Sequence, residues 1–146
     1  MPFELTEGMV RNYASTESFA RAEDYYQQDA VLSLTRRGNV LQAEVAGSEF
    51  SPYLVRVDFD ESGVAGAECN CPYAWGGWCK HIVAVLLASI REPESVRERP
   101  ALEEVLSSLD RDLLQTILLK LAVRDPSVAD VIETEYRSPR RPKIAR

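Results

Sequence analysis

The chain has 146 residues, 45% of them apolar and 27% charged, with a formal net charge of −6. That composition fits one domain with a real core, or a small domain with a helical appendage, and excludes two large domains, a disordered chain and a fibrous one. No apolar run approaches the roughly 20 residues that span a bilayer, and Met1 to Glu7 lacks the charged and apolar regions of a signal peptide, so a cytoplasmic protein with no membrane association is expected.

The charge is unevenly placed. Arg137, Arg140, Arg141, Lys143 and Arg146 make the last ten residues purely basic, while the preceding 136 carry 12 basic against 23 acidic groups. A nucleic-acid binder usually shows a basic stripe, because phosphate neutralisation with counterion release supplies most of its affinity. The body of this chain has no such stripe.

From the N-terminus, Leu5, Met9 and Tyr13 recur at i, i+4, i+8 behind a capping Thr6, which predicts a short amphipathic helix. A second helix starts near Ser15 or Thr16, aligns Phe19, Ala22 and Tyr26, and ends around Gln28 to Asp29. The period then changes to two. Leu32 and Leu34 alternate with Ser33 and Thr35, Gly38-Asn39 supplies a turn, and Leu41, Ala43 and Val45 alternate again, which reads as a hairpin. Tyr53, Val55, Val57 and Phe59 form the clearest strand face, and Asp60 to Gly63 turns the chain into a fourth strand running from Val64 to about Cys71. His81 to Ile90 carries no acid or lysine and is apolar nearly all round, so it predicts a helix covered on more than one side.

Residues 92–100, with two prolines and alternating charges, read as a linker between a domain at 1–91 and a helical extension at 101–137. In the extension, Leu102, Val105, Leu106 and Leu109 suggest one helix, Leu113 to Leu121 a second capped by Asp110, and Val128, Val131 and Ile132 a third opened by Asp125-Pro126. Residues 138–146 read as a basic, disordered tail. The expected fold is therefore α+β: N-terminal helices, an antiparallel sheet of about four strands, an apolar helix and a helical C-terminal extension.

All three cysteines and the only histidine fall between Cys69 and His81, spaced C-x-C-x7-C-x-H. Zinc takes four sulfur or nitrogen ligands tetrahedrally, so Cys69, Cys71, Cys79 and His81 would fill its shell with one ion per chain and leave no position for a reacting water. On a strand, residues i and i+2 face the same way, so Cys69 and Cys71 present both thiolates to one point. On a helix the same spacing diverges by about 200°, which places Cys79 just before the apolar helix and His81 in its first turn. The metal would then clasp the last strand to that helix and serve structure, not catalysis.

This motif, with Cys71-Pro72-Tyr73 before the loop and Cys79-Lys80-His81-Ile82-Val83 after it, resembles the SWIM zinc finger, particularly its prokaryotic members. The stretch from Ser18 to Phe59 is similar to the region that precedes the finger in such proteins, and Leu113 to Val131 to helices that often follow it. The resemblance implies a binding module whose partner belongs to a DNA-processing assembly, such as a Swi/Snf-type helicase.

A protein-interaction adaptor is the first expectation, with Tyr73, Trp75 and Trp78 displayed by the x7 loop, since tryptophan and tyrosine are enriched at interface hot spots. The alternative is DNA binding, in which those aromatics stack on bases while Arg36, Arg37, Arg56, Lys80, Arg140, Arg141 and Lys143 contact phosphate. An enzyme is not expected. There is no second histidine, phosphate-binding glycine loop or nucleophile motif, and the paired acids Glu103-Glu104, Asp110, Asp112, Glu133 and Glu135 read as solvated helix faces.

Overall fold

Strand β3 (Tyr53–Asp60) is the axis of the sheet, with Tyr53, Val55, Val57 and Phe59 all buried on one face. It pairs antiparallel with β2 (Val40–Val45) on one side and β4 (Gly63–Cys69) on the other. Strand β1 (Val31–Arg37) joins β2 through the turn Gly38-Asn39, where Gly38 adopts a φ of 57° that favours glycine. These elements belong to a computed structural model that describes residues 4–72 and 77–137 and divides into two units, Met1–Ala101 and Leu102–Arg146.

Alternation fails at one point in β1. A bulge between Val31 and Ser33 leaves Leu32 without a register partner on β2, so Leu32 is 57% exposed while Val31 and Leu34 pack on the core. An extra residue in one strand shifts the facing of its neighbours, which simple alternation of Leu32 with Leu34 could not anticipate. A second departure is the segment read as a linker. Pro93–Ser95 form a 3-10 turn, and Arg97–Arg99 form β5, which pairs parallel with β1 and gives the sheet the order β4-β3-β2-β1-β5. All three β5 residues are exposed, so no apolar pattern betrayed them, and Arg37 Nη1 donates to the Pro100 carbonyl at 3.1 Å beside the strand.

The inner face of the sheet meets α3 (Lys80–Arg91), and α1 (Glu7–Tyr13) and α2 (Thr16–Gln27) pack on α3 in turn. This position explains the nearly all-apolar helix: every residue from His81 to Ala88 is buried. In α1 the buried side chain is Val10, while Met9 and Tyr13, expected inward, are exposed. At the far end of α3, Arg91 bridges Glu7 of α1 at 2.9 Å and Glu23 of α2 at 2.7 Å, fixing both outer helices.

The second unit contains α4 (Leu102–Ser107), α5 (Arg111–Arg124) and α6 (Ser127–Arg137). Asp110 caps α5 by accepting from the Leu113 amide at 2.8 Å, and Asp125 accepts from the Ser127 amide at 3.0 Å. No helix among the described residues is long and apolar enough to cross a membrane.

Candidate metal centre

Two elements bring four ligands to one point. Strand β4 ends at Cys69, Cys71 follows two residues on, and Asn70 between them turns away so that its side-chain carbonyl accepts from the Leu54 amide at 2.8 Å. The Leu54 carbonyl in turn accepts from the Asn70 amide at 3.3 Å, so β3 holds the strand end in place. Cys79 is the N-cap residue of α3 and His81 lies in its first turn, as the spacing predicts. Cys79 and His81 are both 3% exposed, whereas Cys69 and Cys71 are partly accessible.

The ligand atoms of these four residues all lie within 4.8 Å of one another, and no carboxylate joins them among the described residues. Imidazole Nδ1 sits 3.7 Å from Cys69 Sγ and 3.8 Å from Cys79 Sγ. Tetrahedral zinc, with bonds near 2.3 Å to sulfur and 2.0 Å to nitrogen, separates its ligands by roughly 3.5–3.8 Å, so the donors fit that ion and their sulfur-rich set suits it. Cys69, Cys71, Cys79 and His81 are thus positioned to bind one zinc ion, which would join β4 to α3.

As a group of thiols the cluster shares its protons unevenly. The hydrogen bond from Cys69 holds the Cys79 thiol down to about 4, and the His81 side chain and Ile82 amide add to this against the effect of burial. The same contact, with burial behind it, pushes the Cys69 thiol up. Since zinc binds thiolates, loading this cluster would release protons.

A metal-closed join between a strand end and a helix start defines a small zinc-finger domain. Residues 53–90 match the family model for the SWIM zinc finger, and the chain carries that finger. In an alignment of 122 positions that covers 77% of its length, the chain is 34% identical to "Zinc finger SWIM domain-containing protein 8" from Bos taurus and from Homo sapiens, covering 9% and 7% of those proteins. It is 33% identical over 103 residues to the Drosophila melanogaster homolog, covering 70% of this chain and 5% of that one. The chain therefore spans less than a tenth of the length of these relatives. No solved structure matches it.

Of the aromatic candidates, Trp78 is partly buried and stacks on Tyr13 of α1, ring centroids 4.8 Å apart. Tyr73 and Trp75 lie outside the described residues, as do Arg140, Arg141 and Lys143. The remaining described cations are divided among three places. Arg37 and Arg56 line a concavity on the open face of the sheet beside Glu44 and Glu68, and Arg56 pairs with Asp58 at 3.0 Å. Arg36, next to Arg37 in sequence, lines a separate pocket near Leu41 and Phe59, and its Nε donates to the Gly38 carbonyl. Lys80 lies over the Tyr25 ring. Sequence reasoning missed Tyr13 and Tyr25 at the site. Tyr13 is separated from Trp78 by most of the domain, and Tyr25 carries no motif that would place it beside a metal ligand.

Proposed function

We propose that the chain is a non-catalytic binding module, a zinc-stabilised finger that serves as a protein-interaction adaptor in a larger assembly, with a Swi/Snf-type DNA-processing helicase as the partner class the family resemblance suggests. The carrying observation is the Tyr13–Trp78 stack. Tyr13 is 60% exposed, Met9 lies one helical turn away at 41% exposure, and Trp78 is next to the ligand Cys79, so an aromatic ledge borders the metal clasp. Large aromatics supply contact area at low conformational cost and dominate interface hot spots. A four-ligand shell leaves the metal no open coordination position for a substrate, which supports a structural ion.

DNA binding has weaker support, because the described cations are dispersed over different faces and Arg37 and Arg56 share theirs with acids. The test is affinity capture with the metal-loaded chain and with Tyr13→Ser, zinc content being measured in both. Loss of specific partners from a Tyr13→Ser chain that keeps its zinc is expected. Retention of every partner would remove the ledge as the interface, and retention of salt-sensitive DNA binding alone would favour the alternative.

A further inference from the structure

We infer that Tyr53, seated on Gly47, is the residue that orients the metal-binding imidazole of His81, and that it does so by ring packing. When Nδ1, which faces the thiols of Cys69 and Cys79, binds the metal, the proton of the neutral imidazole sits on Nε2. A metal-binding histidine ordinarily donates that proton to a carboxylate, carbonyl or water, which fixes its ring. Here Nε2 is buried and has no hydrogen-bond partner among the described residues. What lies against the ring is aromatic: Tyr53 at 4.4 Å between centroids, inclined by 35°, and Tyr25 edge-on at 5.4 Å.

Tyr53 can take that place only because residue 47 has no side chain. A Cβ on Gly47 would overlap Cε2 and fall 2.6 Å from Cδ2 of the Tyr53 ring, inside any real contact, so an alanine there forces the ring and the residue 47 backbone apart. Tyr53 is held from the other direction by its register opposite Val45 on β2. The chain of contacts Gly47, Tyr53, His81 therefore ties the loop after β2 to the geometry of the metal shell. Tyr53 is not itself one of the four ligands and is a positioning residue.

The experiment loads the full chain with cobalt(II) for its ligand-field spectrum and with zinc for release to a chelator. It compares Tyr53→Phe, Tyr53→Leu and Gly47→Ala with Val57→Ala, a β3 core truncation two pairs further along the same strand face. Tyr53→Phe is expected to behave as wild type, because the ring and not the hydroxyl is at work. Tyr53→Leu and Gly47→Ala should each shift the cobalt bands and speed zinc release by roughly 10–100-fold, the range for loss of outer-shell support. Val57→Ala should lower the melting temperature with the bands and release rate unchanged. Adding Gly47→Ala to Tyr53→Leu should change neither readout further, since the ring that the methyl would strike is gone. Wild-type bands and release in both Tyr53→Leu and Gly47→Ala, or the same shifts in Val57→Ala, would overturn the assignment; a wild type that takes up no cobalt would overturn the metal site with it.

Discussion

Cys79 holds two posts at once, as N-cap of α3 and as the most buried of the three thiol ligands. The Ile82 amide of the first turn already favours its thiolate, and that amide together with Lys80 would help to offset the −1 charge of three thiolates around a zinc ion. Cys79→Ser should lower zinc content and melting temperature together; a variant that stays metal-loaded at the wild-type melting point would remove Cys79 from the shell. Just before it, Gly77 has a φ of 71°, and a Cβ there would come within 3.2 Å of the Tyr13 carbonyl, which also accepts from the Trp78 amide. Gly77→Ala is thus expected to destabilise by about 1–2 kcal/mol, the cost of a left-handed L-residue, with zinc retained. An unchanged denaturation midpoint would contradict that conformation.

At the scale of elements, α3 is held by the sheet on one side, by two helices on the other and by Arg91 at its end, and a zinc ion would fasten its start. The Arg91 guanidinium, chiefly by hydrogen bonding, holds the carboxyls of Glu7 and Glu23 below their ordinary value of 4.5. A lowered folded-state value means that the stabilisation is complete above the unfolded value of about 4.5, declines below it and is gone only once the pH has fallen through the folded value. These side chains are 25–37% exposed, and solvent screening keeps the network to about 1–2 kcal/mol. Arg91→Met should close part of the stability gap between pH 7 and pH 3 relative to wild type; parallel pH profiles would contradict the bridge. The bulge in β1 makes a further contrast. Leu34→Ala should cost about 2–5 kcal/mol as a core truncation, while Leu32→Ser, at an exposed position, should stay within about 0.5 kcal/mol. Equal losses would place Leu32 in the core. Here the limits of pattern reading are clear. β3 was legible because one face of it is wholly buried, and α3 because burial on every side leaves no polar stripe. Leu32 was not, since a bulge is a backbone event, and β5 was not, since a three-residue exposed edge strand needs no apolar face. The exposure of Met9 and Tyr13 also escaped, because Val10 took the inward position that their spacing suggested.

At the scale of the whole molecule, the metal cluster was the most legible feature, because four rare residues within thirteen positions leave few other physical explanations. Its surroundings were not legible. Tyr13, Tyr25 and Gly47 reach the site through tertiary contacts that no local period encodes. The two units also differ in what holds them. The first has a continuous buried core, whereas no described residue from 102 to 137 is buried, and helices of 14 and 11 residues gain little from propensity alone. The finger unit is a modest domain for which a structural ion contributes folding free energy outright. The most direct measurement is therefore the metal content of the purified chain by native mass spectrometry, paired with its thermal denaturation before and after treatment with a strong chelator. One zinc per chain, with loss of the cooperative transition on its removal and recovery on its return, is expected. A chain that carries no zinc, or one that melts identically after chelation, would contradict the metal clasp on which the fold of this finger rests.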